Sequence, residues 1–141
     1  MPVVGSVSRN GSVVARVVGN VDAKTLKAFV AETVSREATL LSTDDHGGYV
    51  GLGKDYPHQV VHHGRGEYVV GNVHMQTIDG YWSQLKRQII GIHHWVSKKH
   101  LKRYVDESSW RYNGRQIGEG ARVNALLAAV QGRLPYKVLI A

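Results

Sequence analysis

Two short runs of β-branched residues near the start of the chain constrain its fold more than any other feature. They cover residues 3–7 and 12–18, and Ser8-Arg9-Asn10-Gly11 separates them. Asn-Gly between two such runs is the strongest short-range signal for a tight hairpin, because both residues tolerate the positive φ angles that the turn requires. We therefore predict a strand hairpin over residues 3–18.

Helix and strand signals alternate in the segment that follows the hairpin. Four apolar residues recur there at helical spacing, after a possible cap at Asn20 or Asp22: Leu26, Phe29, Val30 and Val34. The predicted elements are a helix over 23–35, a strand over 38–43, a turn or short helix over 47–54, a strand over 58–62 and a loop over 63–76. Strands of this kind followed by helices are typical of an α/β sheet with helices packed on it.

Three helices are predicted in the second half of the chain, over residues 78–90, 98–112 and 121–131. Thr77 and Ser97 precede the first two helices, and both residue types favour the N-cap position. Gly132 and Pro135 close the third helix, because glycine suits the left-handed conformation beyond a helix end and proline cannot continue a helix. The first two helices each carry an apolar stripe, which predicts that they pack on the sheet.

Length and composition exclude several classes of protein. The chain has 141 residues, which suits one domain and is too short for two. It contains no cysteine, which excludes a disulfide scaffold, a thiol nucleophile and cysteine-ligated zinc or iron–sulfur sites. The longest apolar run, residues 126–130, is far shorter than the roughly 20 residues of a membrane span, and no signal peptide is visible. We expect a cytoplasmic protein with no membrane contact.

Positive charge is concentrated in one part of the chain. Eighteen Lys and Arg residues against 11 Asp and Glu residues give a net charge of +7, and the isoelectric point is near 9.8. Residues 86–115 contain eight of these bases and two acids, a net charge of +6. Such a basic segment suits a polyanion such as DNA, and it also fits the solvated face of a helix.

Two aspartates are candidate metal ligands. Asp79 lies seven residues before Lys86 on the predicted helix 78–90, so the two share a face and lie about 10 Å apart along the axis. An acid that can hold a metal beside a base that can contact phosphate fits phosphoryl chemistry, but the helix dipole also favours an acid in the first turn. Asp44 follows a predicted strand, where functional groups gather in open α/β sheets, and it also fits a turn or a helix cap. Spacing alone leaves both interpretations open.

Four motifs stand out in the sequence. They are GEYVVGNVHMQTIDGYWSQLKR over residues 66–87, HHWVSKKHLKRYVDE over 93–107, RYN over 111–113 and GRLPYK over 132–137. In order and spacing they resemble the catalytic domain of ISXO-type insertion-sequence transposases. The resemblance extends from about Pro2 to Ala141 and is strongest over residues 66–113.

This resemblance implies an α/β fold of the ribonuclease-H-like type, a mixed sheet with flanking helices, and the activity of the DDE transposase superfamily. In that superfamily three acids hold two divalent ions, Mg²⁺ or Mn²⁺, for cleavage of the transposon end and its transfer to target DNA. The second and third acids match Asp44 and Asp79, and the basic residue seven positions after the third acid matches Lys86. The implied partner is double-stranded DNA, at transposon ends and target. The expected DNA contacts are Lys86, Arg87, Lys98, Lys99, Lys102 and Arg103.

The sequence departs from the family pattern in three respects. The third acid is usually Glu and is here Asp79, one methylene shorter, and Gln76 stands where the family commonly has Asn. The strand with the first acid precedes the segment that begins here at Pro2. We therefore expect a truncated, C-terminal portion that lacks the first catalytic strand, with an incomplete metal site that favours an inactive remnant. Without that strand one edge of residues 3–7 is unpaired, which predicts a homo-oligomer.

Two other interpretations remain open. A non-catalytic module could bind DNA through the basic segment without metal, and a pseudogene product without function is compatible with the same sequence. The eight histidines lie between His46 and His100 and match no zinc motif, although His74 lies close to the third acid. Trp82 is predicted to lie in the core, whereas Trp95, between two helices, fits either a buried position or a DNA contact.

Overall fold

The N-terminal hairpin pairs β1 (Val3–Val7) with β2 (Val13–Val17) in antiparallel orientation. The computed structural model describes residues 1–9, 11–61, 69–70, 73–74, 76–132 and 135–140. Asn10 of the predicted turn therefore lies outside the described residues, as does most of the motif between Gly66 and Met75. The two strands occupy the positions that the β-branched runs predict.

The register of the hairpin determines which backbone groups face outward. Hydrogen bonds join Ser8 to Ser12 and Pro2 to Val18, so these opposite residues are hydrogen-bonded pairs. Bonded and non-bonded pairs alternate in an antiparallel ladder. The N–H and C=O groups of β1 residues 3, 5 and 7 therefore point away from β2, at the edge of β1 that is free of any described strand. Those of Val13 point away from β1 at the other edge.

A helix, α1 (Ala23–Thr33), follows the hairpin. The Oδ1 atom of its N-cap, Asp22, accepts a hydrogen bond from the backbone N–H of Thr25 at 2.7 Å. The helix ends two residues before the predicted limit at residue 35, because Val34 adopts an extended conformation. Its buried side chains pack against Val4 of β1 in one cluster and against Leu52 and Tyr56 in a second cluster, so α1 lies beside both strand pairs.

A second pair of strands is parallel and consists of β3 (Leu41–Asp44) and β4 (His58–Val61), with 3₁₀ turns at Gly47–Tyr49 and Leu52–Lys54 between them. The predicted strand over 38–43 is wrong at its start. A turn occupies residues 35–38, in which Ala38 N–H donates to the Ser35 carbonyl, so the strand begins only at Leu41. His62, the predicted end of the next strand, lies outside the described residues.

Residues 69–74 contain two further short strands, β5 (Val69–Val70) and β6 (Val73–His74), which pair in antiparallel orientation. The loop predicted over 63–76 is therefore wrong at these four residues, and also at Gln76, which begins the next helix. The described strands form three separate two-stranded sheets, so one continuous mixed sheet is not formed in the described part of the chain.

The helix predicted over 78–90 is α2 (Gln76–Arg87), continued by one π-helical segment, Gln88–His93. Thr77 is inside the helix and not its N-cap, so that prediction is wrong. The helix predicted over 98–112 is α3 (Leu101–Asn113). Residues 98–100 form a turn in which the Ser97 carbonyl accepts from His100 and Leu101, so the position before the helix is held by His100 and not by Ser97.

Two helices end the described chain. The helix predicted over 121–131 is α4 (Glu119–Ala129), which begins and ends two residues earlier because Gly118 is its N-cap and Val130 is already extended. A short helix that the sequence did not predict, α5 (Tyr136–Ile140), follows it. No helix among the described residues is long and apolar enough to cross a membrane.

The largest core cluster joins α2 and α3 to the hairpin. Its buried members are Val13, Ile78, Tyr81, Leu85, Val105 and Tyr112. Trp82 packs partly buried against this cluster, and a Cβ atom on Gly5 would lie 2.8 Å from its ring. Gly5 therefore allows β1 and α2 to approach closely. Small sheets with helices packed on them confirm the α/β class.

Candidate metal and DNA-binding site

Asp44 is the last residue of β3 and is partly exposed. Its Oδ1 atom accepts the backbone N–H of His46 at 3.2 Å, a contact that fixes the carboxylate at the turn after the strand. A carboxylate has about four acceptor sites. Within the described part of the chain this one weak bond leaves most of them available for a cation. Asp44 therefore stabilises the turn after the strand and also presents a partly exposed carboxylate oxygen.

A phenol lies near that carboxylate. Tyr49 is in the 3₁₀ turn after Asp44 and contributes to both clusters that pack on α1. Burial, and secondly the negative charge of Asp44, raise the pKa of the Tyr49 phenol. The phenol therefore stays protonated at neutral pH, and the field of the Asp44 carboxylate reaches this part of the core.

A hydrogen-bonded pair on β3 and β4 supports the backbone at Asp44. The buried Thr43 hydroxyl donates to the Asp44 carbonyl at 2.9 Å and lies 2.8 Å from Nε2 of His58. Since the hydroxyl has one proton, His58 Nε2 is the donor in the second bond. Burial lowers the pKa of His58, which favours its neutral form. Sequence reasoning missed this pair, because only the parallel register of β3 and β4 brings the two residues together.

Asp79 and Lys86 both lie on α2, as the helical spacing requires. Asp79 is partly exposed and Lys86 is exposed, whereas Ile78, Tyr81 and Leu85 of the same helix are buried. The acid and the base therefore lie on an exposed flank of the helix, beside the packed face. Asp79 also lies in the first turn of the helix, where the dipole stabilises an acid.

The two candidate metal ligands lie on different elements of the fold. Asp44 ends a strand of the parallel pair, and Asp79 lies on the helix that packs on the hairpin. Among the described residues, no group of three or more His, Asp or Glu residues could together hold a metal ion. Oxygen donors of this kind match Mg²⁺ and Mn²⁺, and Mg²⁺ commonly uses one or two carboxylates together with water and substrate phosphates. Each carboxylate is therefore a donor of the type that the ion prefers, whereas a complete ligand set is not formed among the described residues.

The expected DNA contacts are exposed on α2, on α3 and in the turn between them. Lys86 and Arg87 line a groove beside the π-helical segment. Lys102 pairs with Asp106 at 2.6 Å, and Arg111 pairs with Glu107 at 2.8 Å. Exposed pairs of this type are worth roughly 0.2–1 kcal/mol, so phosphate can compete for the bases. Lys98, Lys99 and Arg103 lie on the same exposed stretch.

Two residues at the end of the basic segment have structural contacts that the sequence did not predict. The Asn113 side-chain amide accepts from the Val13 N–H at 2.7 Å and donates to the Val13 carbonyl at 3.0 Å. Arg115 donates to the carbonyls of Tyr112 and Gly11 and lies 4.1 Å from the centre of the Tyr112 ring. These contacts join the end of α3 to the hairpin. The Arg115 guanidinium is therefore engaged in the fold and is not among the expected DNA contacts.

The aromatic and histidine side chains divide between core and surface. Trp82 packs partly buried against the main cluster, whereas Trp95 is 76% exposed beside the basic segment. The rings of His93 and Tyr104 contact each other with centroids 4.6 Å apart, which gives His93 a packing role. His62 and His63 lie outside the described residues, and only the backbone of His74 is described.

Comparison with known proteins identifies one family. The model of the ISXO2-like transposase domain matches residues 1–113. That range contains Asp44, Asp79, Lys86 and the whole of α3, and it ends before α4. A search of curated proteins and a search of solved structures found no match.

Proposed function

The chain belongs to the ISXO2-like transposase domain family, and we propose that it acts in DNA transposition by metal-dependent, DDE-type strand cleavage and strand transfer on a ribonuclease-H-like fold. One observation carries the proposal. The family match includes both aspartates and Lys86, and α2 presents Asp79 and Lys86 on one exposed face. The family supports a transposase function; the chemistry assigned to these residues is our proposal.

In this proposal Asp44 and Asp79 hold Mg²⁺ or Mn²⁺ through carboxylate oxygens. Asp44 is anchored by the His46 N–H and by the bond from Thr43 to its carbonyl, so its direction at the end of β3 is defined. A bound divalent ion supplies Lewis-acid activation of the attacking hydroxyl and stabilisation of the leaving oxygen. The family pattern also includes a third acidic ligand.

The basic side chains position the DNA. Lys86 lies two helical turns from Asp79, about 10 Å along the axis, so a phosphate near the ion is within its reach. Arg87 follows on the same exposed end of the helix, and Lys98, Lys99, Lys102 and Arg103 extend the positive surface. These contacts neutralise phosphates without reading the sequence of bases.

Binding of Mn²⁺ measured by calorimetry tests the metal assignment. We expect Asp44→Asn and Asp79→Asn each to weaken Mn²⁺ binding at least about tenfold, because each removes one charged oxygen ligand, a loss of about 1.4 kcal/mol or more. Asp55→Asn is the matched control, since Asp55 is an exposed aspartate between β3 and β4. Unchanged binding in the Asp79 variant would refute the site.

A second candidate function is DNA binding without catalysis. The observation that favours it is the exposed basic surface of α2, α3 and the turn between them, whose charges need no metal to bind phosphate. In that case Lys98→Glu/Lys102→Glu abolishes binding to duplex DNA while Asp44→Asn leaves it unchanged. Binding that requires Mn²⁺ and is lost with Asp44→Asn supports the transposase chemistry instead.

We also propose that the protein self-associates and acts in the cytoplasm, where the DNA lies. The free edge of β1 carries the outward backbone groups of residues 3, 5 and 7, and such edges pair with other strands. Val3→Pro removes one of the outward N–H groups, whereas Val3→Ala keeps it and loses more apolar surface. We expect Val3→Pro alone to lower the average mass in sedimentation velocity at tens of micromolar. A monomeric wild-type chain would contradict the proposal.

A further inference from the structure

The side chain of Trp95 is 76% exposed, the highest value among the large apolar side chains that the structure describes. The other two tryptophans differ from it. Trp82 packs partly buried against the main core cluster, and Trp110 is 39% exposed on α3. Tryptophan normally gains stability by burying its large indole ring. Single exposed apolar residues are common on protein surfaces, but the backbone that holds Trp95 sets it apart from them.

His94, the residue before Trp95, has a strained backbone. Its φ of 57° and ψ of −38° lie outside the left-handed helical region, where ψ is positive. The N–H of Trp95 donates to the His93 carbonyl at 2.6 Å, so residues 93–95 form a turn close to the classic γ-turn, which is rare and strained. His94 is the only residue other than glycine with a positive φ in the described part of the chain. Such strain and π-helical segments, one of which ends at His93, are both frequent at functional sites.

The segment that carries Trp95 is anchored to α3 on both sides. On one side, the His93 ring packs edge-on against the Tyr104 ring, with centroids 4.6 Å apart. On the other side, the Ser97 carbonyl accepts the N–H of Leu101 at 3.0 Å, and the Leu101 side chain packs against the main core cluster. The ends of this short segment are therefore fixed, and the strained turn between them leaves the Trp95 ring in solvent.

Exposed cationic side chains lie on both sides of Trp95 along the chain. Lys86 and Arg87 end α2, Lys98 follows Trp95 by three residues, and Arg103 lies on α3. None of these four forms an ion pair with another described residue. An indole ring among free cations matches a partner that alternates negative charges with flat aromatic groups. A nucleic acid strand, with a phosphate and a nucleobase in each unit, has this chemistry.

We propose that Trp95 stacks on an unpaired nucleobase of a DNA strand whose phosphates are held by the neighbouring cationic side chains. The identity of the partner rests on the proposed function, and the inference adds a contact to a nucleobase. An unpaired nucleobase presents its π face freely, whereas the nucleobases of an intact duplex are already stacked on one another. The ring therefore favours DNA with a single-stranded tail over blunt duplex, a distinction that phosphate contacts alone do not make. The preference is independent of sequence, because every nucleobase has a π face.

Binding to duplex DNA that carries a single-stranded tail tests the stacking contact. The affinity of the full chain is measured by fluorescence anisotropy in EDTA, so that no metal ion contributes. Two ligands are compared, a duplex with a normal tail and the same duplex with abasic sugars in the tail. The abasic tail keeps the phosphates and removes the nucleobases. We expect the chain to bind the normal tail roughly ten- to hundredfold more tightly, the range that one stack of a nucleobase on an aromatic ring provides.

Substitution of Trp95 should abolish this preference for the normal tail. Trp95→Leu keeps an apolar side chain and removes the aromatic ring, whereas Trp95→Phe keeps a smaller ring and should retain part of the preference. Trp110→Leu is the matched control, since it removes the other exposed tryptophan and should leave the preference unchanged. Intrinsic fluorescence gives a second readout, because the normal tail should quench the wild type and Trp110→Leu but not Trp95→Leu. Circular dichroism checks that each variant is folded.

Four results separate this inference from the proposed function. An equal loss of affinity for both tails in Trp95→Leu would indicate a contact with sugar or phosphate and would overturn the stack. An unchanged preference in Trp95→Leu, or no preference in a wild type that binds duplex, would overturn it and leave the proposed function intact. Failure of the folded chain to bind any DNA would refute both. A preference that depends on Trp95 in a chain that does not nick plasmid would support the stack and refute the catalytic proposal.

Discussion

The side chain of Asn113 pairs with the backbone of Val13 as a neighbouring strand would. Its amide accepts from the Val13 N–H and donates to the Val13 carbonyl, at 2.7 and 3.0 Å. Those two groups lie on the outer edge of β2, where no described strand pairs with them. The last residue of α3 therefore closes the hairpin edge and fixes the helix on which the basic surface lies.

Loss of this contact should destabilise the fold. Asn113→Ala removes both partners of the Val13 backbone groups, which costs roughly 1–3 kcal/mol for each group left buried and unpaired. We expect the free energy of unfolding in urea to fall by about 2–6 kcal/mol, the sum for the two groups. Asn124→Ala, the same change at an exposed helical position, should alter it by less than about 0.5 kcal/mol. Equal effects of the two substitutions would show that Asn113 has no special role.

The close approach of β1 to α2 predicts a steric effect. An added Cβ atom at Gly5 would lie 2.8 Å from the Trp82 ring, which is packed in the core cluster. Gly5→Ala should therefore lower stability by about 1–3 kcal/mol through overpacking. Gly19→Ala, where nothing lies within 4 Å, is the control. Trp82→Phe should reduce the penalty of Gly5→Ala in a double-mutant cycle, and an additive result would contradict the contact.

His58 should make stability depend on pH. Burial lowers its pKa below the ordinary value of 6.5, so the unfolded chain binds the proton more tightly than the folded chain. The contribution of neutral His58 is present above pH 6.5 and is lost as the pH falls below it. We expect the melting temperature to decrease between pH 7.5 and 5, and to decrease less in His58→Gln. His58→Gln leaves the other seven histidines unchanged, so parallel curves of melting temperature against pH for the two proteins would refute the assignment.

The exposed bases should determine the salt dependence of DNA binding. Each phosphate contact contributes about 0.9 to the slope of log affinity against log salt. Lys98→Ala/Arg103→Ala should therefore reduce that slope by about two, measured by fluorescence anisotropy on duplex DNA. Lys24→Ala/Lys27→Ala removes the same charge from α1 and should leave the slope nearly unchanged. A similar reduction in both proteins would indicate a general effect of net charge.

Local sequence patterns predicted which helices and strands form better than they predicted where those elements begin and end. The apolar stripes of α1, α2 and α3 and the β-branched runs of the hairpin each place one element, because a periodic pattern is fixed by the packed face. The caps at Thr77 and Ser97 were wrong, since the helices begin where backbone bonds and tertiary contacts allow, one residue before Thr77 and four after Ser97.

The same distinction between local and long-range information applies to the candidate site. Asp79 and Lys86 follow from helical spacing within one element, so sequence reasoning can place them on one face. The Thr43–His58 and Val13–Asn113 contacts join residues 15 and 100 positions apart, and no local pattern encodes their approach. For the same reason sequence spacing gives no separation between Asp44 and Asp79, which lie on different elements.

The nicking of supercoiled plasmid in Mn²⁺ tests the central claim most directly. The purified chain is compared with Asp44→Asn, Asp79→Asn and the control Asp55→Asn, each folded by circular dichroism. In contrast to the inactive remnant that the sequence pattern favours, we predict that the wild-type and control proteins nick the plasmid. Either site substitution should lower the rate at least about a hundredfold, because a lost metal ligand costs several kcal/mol of transition-state stabilisation. Equal nicking by all four proteins, or none by the folded wild type, would contradict it.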